Sequence, residues 1–229
     1  MRIDKFLSNL KYGSRSQIKD FLSQHRVTSE GIRILSTKFD INPNQDIIYV
    51  DENPIFYKYP IYLAINKPVG YLSANRDAFY PCVVDLLKEP YHRFDYAIAG
   101  RLDIDSEGLL ILTTDGSFAH QITLPKSHVP KTYEVLLNRD FDQHVALSEG
   151  VTVKDGRNQE YVAQALTISS KLNQAWITID EGKFHQVKRM FEAVGYLVLK
   201  LKRIQIGNLK LNDLPYGEYQ EFRKEELYD

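Results

Sequence analysis

The sequence predicts an α+β protein in two parts, a small mixed domain over residues 1–58 and a larger one over residues 59–229. Three observations carry this. Apolar residues at helical spacing open the chain, strand-like runs dominate after a Pro-bounded stretch from Glu52 to Pro60, and later helices interrupt the strands without a regular strand–helix rhythm. The composition, 43% hydrophobic and 26% charged with 12 Gly and 9 Pro in 229 residues, excludes a disordered, collagen-like or disulfide-stapled chain. Cys82 is the only cysteine, so no internal disulfide forms. No run approaches the roughly 18 apolar residues of a membrane span. Arg2, Asp4 and Lys5 make the first residues a poor secretory leader, so a cytoplasmic protein without a membrane partner is expected.

The elements follow in order. Ile3, Phe6, Leu7 and Leu10 form one face of a helix that Tyr12-Gly13 ends. Ser14 with Gln17 has the spacing of a capping box opening a second helix, whose apolar face is Ile18, Phe21 and Leu22 and whose edge carries Arg15 and Lys19. Val27 to Gly31 reads as a loop. Ile32 to Leu35 and Ile47 to Val50 alternate as strands around an Asn42-Pro43-Asn44 turn, and Glu52 to Pro60 reads as a linker. Beyond it, Tyr62 to Asn66, Tyr96 to Ala99, Leu109 to Thr113, the stretch around Tyr133, and Ala175 to Ile179 read as strands. His185 to Val194 reads as a helix with Val187, Met190, Phe191 and Val194 inward and Gly195 as its stop.

The net charge of −1 conceals an uneven distribution. Residues 1–38 hold eight Lys/Arg against three acids, and Lys183, Lys188, Arg189, Lys200, Lys202 and Arg203 span a stretch whose only acid is Glu192. Local positive patches of this kind suit a polyanion, although solvated surface helices look the same. The segment from Gly100 to Leu110 places Arg101, Asp103, Asp105 and Glu107 between two apolar strands, where a scaffold can aim them. An ionised aspartate beside a cation suits covalent work at a sugar carbon or an activated pyrimidine. On the residues alone, loop acids making Asx-turns are the simpler reading. There is no phosphate-binding Gly-rich loop, no dinucleotide fingerprint and no zinc spacing; a hard cation on the three carboxylates stays open.

Four segments in order lift the ambiguity. They are Asn66-Lys67-Pro68-Val69-Gly70; Gly100-Arg101-Leu102-Asp103 with Gly108-Leu109-Leu110 and Leu112-Thr113-Thr114-Asp115-Gly116; Lys131-Thr132-Tyr133; and Glu181-Gly182-Lys183-Phe184-His185-Gln186-Val187-Lys188-Arg189-Met190-Phe191. Together with Leu201-Lys202-Arg203 and Ile206-Gly207, they resemble the motifs of the pseudouridine synthases over roughly residues 60–220. Residues 1–50 resemble the S4 RNA-binding domain. That combination resembles the RsuA branch, which acts on bacterial ribosomal RNA.

The resemblance implies an S4-like α/β RNA-binding domain followed by a mixed, largely antiparallel catalytic sheet. It implies isomerisation of uridine to pseudouridine, most closely at uridine 516 of 16S ribosomal RNA, free or within an assembling small subunit, by a monomer needing no cofactor and no metal. Asp103 matches the catalytic aspartate, attacking either the ribose C1′ or the uracil ring. Tyr133 matches the tyrosine that stacks on uracil and assists proton removal, and Lys188 the basic residue that pairs with Asp103. Arg101 would position the extruded nucleotide, and Arg15, Lys19, Lys183, Arg189, Lys202 and Arg203 would contact RNA. Ser106 and Ala99 depart from the commoner Thr and Val, and Tyr80 to Leu87 from the usual start of a helix there. A large-subunit target, a catalytically idle S4-type assembly factor and a nucleosidase using Asp103 with Asp105 are the alternatives.

Overall fold

The computed structural model describes residues 1–228 and divides into two compact units, one of residues 1–61 with 87–95, the other of residues 62–86 with 96–228. In the first, α1 (Ile3–Asn9) buries Ile3, Phe6 and Leu7, and Leu10 closes its face. Gln17 Oε1 accepts from Ser14 N at 2.9 Å and from Ser14 Oγ at 2.7 Å. The capping contact therefore forms over a turn, and α2 (Ile18–Gln24) begins at its end rather than at Arg15.

The residues read as a loop are instead β1 (Val27–Ser29), which buries Val27 and Ser29. With β2 (Ile32–Arg33), β3 (Ile48–Val50) and β4 (Asn53–Pro54) it makes an antiparallel sheet of order β2-β1-β3-β4. The start of the expected linker is thus an edge strand, a place that tolerates Pro because one side of the ladder is unused.

Residues 87–95, which the sequence groups with 59–229, pack into this first unit. Lys11 Nζ donates to the carbonyls of His92 and Phe94 at 2.9 and 3.0 Å, and Arg93 lies 4.5 Å over the Tyr12 ring. Phe56 meets Tyr91 and Phe94 edge-on. These aromatic partners are distant in sequence, so no local pattern announces them.

The second unit contains β5 (Tyr62–Lys67), β6 (Ala97–Ala99), β7 (Glu107–Thr113), α3 (Gly116–Thr123), β8 (Lys131–Leu137), α4 (His144–Glu149), β9 (Val151–Lys154), β10 (Glu160–Ala163), β11 (Thr167–Lys171), β12 (Gln174–Ile179), α5 (Gln186–Ala193), β13 (Val198–Ile206), β14 (Leu209–Lys210) and β15 (Tyr219–Glu221). The main sheet runs β11-β12-β8-β13-β7-β5-β15, with β6 added on β7 and β14 on β13; β9 and β10 form a separate hairpin. It is mixed and largely antiparallel, the exception among the described residues being the parallel pair β13–β7.

Alternation along β8 sends Lys131, Tyr133, Val135 and Leu137 inward. Val135, Ala175, Ile177, Val187, Met190, Phe191 and Leu201 share one core with Leu102 and Tyr133. Leu109, Ile111, Phe118, Ile122 and Ile206 belong to a second. Asp115 is the N-cap of α3, accepting from Phe118 N at 3.1 Å, which gives that acid a structural duty. The expected helix at Tyr80–Leu87 is a short 3-10 turn, Val83–Leu86.

Candidate active site

The loop carrying Asp103 leaves β6 and enters β7 where one edge of β7 changes partners. β6 pairs with Thr113 to Ile111, and β13 takes over at Glu107 and Gly108. Arg203 of β13 ties both ends of the loop: its Nε donates to Leu109 O at 2.8 Å and its Nη2 to Gly100 O at 2.5 Å. Gly108 has φ +104, and a Cβ there would stand 2.2 Å from Arg203 O, so only glycine lets β7 approach β13 this closely.

The middle of the loop is held from β5 and the segment after it. Lys67 Nζ donates to the carbonyls of Pro68, Asp103 and Ser106 at 3.1, 3.0 and 2.7 Å. Ser73 Oγ donates to Leu102 O at 2.8 Å and accepts from Leu102 N at 3.0 Å, and Gly70 N donates to Ile104 O at 2.7 Å. Burial pushes the Lys67 ammonium down to about 8, against the opposing pull of Asp103 and Asp105.

The side chain of Asp103 faces α5. Lys188 Nζ lies 3.2 Å from Asp103 Oδ2 and 2.6 Å from Asp105 Oδ1, and His185 Nε2 lies 3.3 Å from Asp103 Oδ1. Partial burial would raise the Asp105 carboxyl, but the hydrogen bond and charge of Lys188 outweigh it and hold the group below the usual carboxylate range. Asp103, Asp105 and His185 line a cleft of about 820 Å³, large enough for a nucleotide, with Tyr133, Lys131, Arg101, Leu102 and Arg203 among its walls. The face of Tyr133 lies 5.9 Å from the Arg203 guanidinium. Lys131 is buried in the same wall, donating to Val129 O at 2.8 Å, and burial with the nearby Arg203 charge pushes it down to about 8.

The structure therefore brings together Asp103, Tyr133 and Arg101 in one cleft, with Lys188 joined to it through its contact with Asp103. Lys183 reaches its rim, 3.5 Å from Glu181 and 3.5 Å over the Tyr161 ring. Arg189 donates to Lys154 O and lies over Phe184, and Lys202 lies 5.0 Å over Tyr216. Arg203 corrects the sequence reading of a basic surface. It is 1% exposed, and two of its donors are spent on the backbone of the Asp103 loop, so it is a clamp and not a cation offered to a phosphate. Arg15 and Lys19 are exposed in the first unit.

Sequence reasoning gave no role to Lys67, Ser73, Lys131 or His185. Lys67 and Lys131 stood inside recognised segments, but the signal that matters, a Lys buried in a wall, is invisible before folding. Among the described residues no three His, Cys, Asp or Glu side chains are grouped to hold a metal ion.

A carboxylate on a clamped loop, in a nucleotide-sized cleft of a mixed sheet that follows a small helix-and-sheet unit, has known counterparts. The family profile for RNA pseudouridylate synthase matches residues 61–193, and that for the S4 domain matches residues 1–47. An RNA pseudouridine synthase of Bacillus subtilis, YtzG, is 41% identical over 232 residues, covering 100% of this chain and 97% of that one. Ribosomal small subunit pseudouridine synthase A is 38% identical in Yersinia pestis and 37% in Escherichia coli, each covering 99% of this chain and 97% or 98% of the relative. A crystal structure of pseudouridylate synthase aligns with a TM-score of 0.66 and 33% identity, over 99% of this chain and 98% of that one. Fold, site and matches together define a pseudouridine synthase, an isomerase. More narrowly, the chain belongs to the RsuA-like family of these enzymes, the branch with an S4 domain.

Proposed function

We propose that this enzyme converts a uridine of small-subunit ribosomal RNA to pseudouridine, uridine 516 of 16S RNA being the target, with Asp103 acting at the sugar carbon. The observation that carries the reading is the carboxylate of Asp103, engaged by Lys188 and His185 on its two oxygens and set in a cleft with Tyr133. The small-subunit target rests on the relatives of that description, which match the chain end to end.

In this mechanism the uridine leaves its stack, at a cost of a few kcal/mol, and enters the cleft. The N1–C1′ bond breaks with its electron pair going to uracil, while the Asp103 carboxylate takes up the electron-poor C1′, as carboxylates do in retaining glycosidases. Lys188 lies against Asp103 Oδ2 and offsets its charge until then. Uracil turns against Tyr133 and C5 bonds to C1′ as the carboxylate leaves. The C5 proton is lost, Tyr133 assisting, and N1 gains one, so substrate and product are isomers and no electrons are exchanged. Arg101, exposed at the mouth, contacts the extruded nucleotide. Residues 1–58 act as the RNA-binding domain and residues 59–229 as the catalytic domain, with Arg15, Lys19, Lys183, Arg189 and Lys202 contacting RNA, in a cytoplasmic monomer.

The test is carbodiimide treatment and primer extension on ribosomal RNA from cells lacking the protein. The expected outcome is loss of one stop in 16S RNA, restored by the wild-type gene and not by Asp103→Asn, whose turnover is expected to fall by on the order of 10³-fold or more. Loss of a 23S stop would overturn the small-subunit assignment, and restoration by Asp103→Asn would overturn the chemistry.

A further inference from the structure

His185 stands on the uncovered side of Asp103. Lys188 approaches Oδ2 at 3.2 Å, and His185 Nε2 approaches Oδ1 at 3.3 Å. The ring reaches that position through an uncommon backbone. His185 is the N-cap of α5 and has φ +53, in the left-handed region that non-glycine residues seldom adopt. The ring is also fixed from behind. It stacks on Phe184 with 3.7 Å between centroids and 20° between planes.

Phe184, although 53% exposed, has neighbours of its own. The Arg189 guanidinium lies 5.0 Å from its ring, anchored by a hydrogen bond to Lys154 O, and Gly156 packs against its Cβ so closely that a methyl there would come within 3.3 Å. The turn beneath is braced by Gln186, whose Oε1 accepts from Lys183 N at 3.0 Å and whose Nε2 donates to Glu181 Oε2 at 3.3 Å. The imidazole is thus stacked on its neighbour with a nitrogen 3.3 Å from the carboxylate.

We propose that His185 is a positioning residue that, with Lys188, fixes the plane of the Asp103 carboxylate; this rests on Asp103 being the catalytic group. The terminal torsion of an aspartate is broad, so one cation on one oxygen leaves the other free to swing. A second polar contact, His185 Nε2 at 3.3 Å from the second oxygen, restrains the plane. The need is real here, because Lys188 is shared and sits closer to Asp105, at 2.6 Å, than to Asp103. Reaction at a sugar carbon requires the attacking oxygen to be held in near-attack geometry, and looseness of about 1 Å costs on the order of 100-fold in rate.

Two substitutions in the full-length protein separate the nitrogen's contact with the carboxylate from the ring. His185→Phe keeps the stack on Phe184 and removes the nitrogen; His185→Gln returns an amide N–H near the position of Nε2. Tritium release from ribosomal RNA carrying 5-tritiated uridine, prepared from cells lacking the protein, gives kcat and KM. For His185→Phe the expected result is a kcat lower by about 10- to 100-fold with KM within about two-fold. For His185→Gln, kcat is expected to recover to within about five-fold of wild type. Should His185→Phe lower the melting temperature, His185→Ala takes its place with the same expected split.

A wild-type kcat in the variant lacking the nitrogen would overturn the proposal. Equal losses in both variants with a raised KM would overturn it too, making His185 an RNA contact or packing residue. Asp103→Asn is run alongside. If it is inactive while His185→Phe is normal, only the role of His185 fails; if it is active, the reading of Asp103 fails and takes the proposal with it.

Discussion

At the scale of single residues, the site is a set of cations placed to hold backbone and carboxylate at once. Lys188 bridges Asp103 and Asp105, Arg203 ties the loop ends, and Lys67 gathers three carbonyls beneath. Lys67 has a measurable signature. Its ammonium is held down to about 8 against an ordinary 10.5, so between those values the unfolded chain binds more protons than the folded one. Stability therefore rises with pH across that window, and the penalty is fully present below it. Lys67→Met abolishes this term and takes a donor from three carbonyls, of which Asp103 O still accepts from Ser106 N, so the variant is expected to be less stable at every pH. The gap between wild type and variant should widen by about 1–3 kcal/mol from pH 7 to pH 10, read by chemical denaturation at each pH. A gap independent of pH would show that Lys67 is not held as described.

At the scale of elements, the decisive contact is the crossing of β7 and β13. Parallel pairing of Arg203 with Gly108 puts the chain that leaves the Asp103 loop against the strand that supplies its clamp. Gly108→Ala forces a methyl to within 2.2 Å of Arg203 O at a φ of +104, so steric and backbone strain act together. A loss of about 3 kcal/mol or more is expected from the urea midpoint, with a fall in turnover as the loop shifts. Gly31→Ala is the control: its φ is +79 but nothing lies within 4 Å of the added carbon. There the cost should stay at about 1–2 kcal/mol and activity should be kept. Similar losses at both positions would mean that the strand crossing is not tight.

At the scale of the whole molecule, chemistry is expected to reside in the second unit while part of the general RNA affinity comes from the first. The exposed Arg15 and Lys19 of the first unit, outside the cleft, should contribute binding without touching the reacting atoms. Replacing both by Ala is expected to weaken RNA binding and reduce the slope of log affinity against log salt by about 1–2, leaving turnover at saturating RNA unchanged. Fluorescence anisotropy across a salt series checks it. An unaltered slope would remove the first unit from phosphate contact. The division is not a single cut in the chain, since residues 87–95 return to the first unit through Lys11, Tyr12 and Phe56.

Local pattern alone was enough for the apolar faces of α1 and α5, for Gly195 as the stop of α5, for β8 as a strand and for the alternation of β12; α1 instead ends at Asn9, with Lys11 at φ +60 taking the closing position expected of Gly13. The resemblance of ordered motifs picked out Asp103, Tyr133 and Lys188; in the structure Asp103 and Tyr133 line one cleft and Lys188 contacts Asp103. Burial, backbone pairing and direction are properties of contacts between distant segments. Thus β1 was hidden in a loop-like string, Arg203 passed for a surface cation, and nothing in the string marks His185, whose Nε2 meets Asp103 only once α5 lies beside the Asp103 loop. Residue identity is written locally, but whether a charge faces water, a carbonyl or a carboxylate is settled only when the sheet closes.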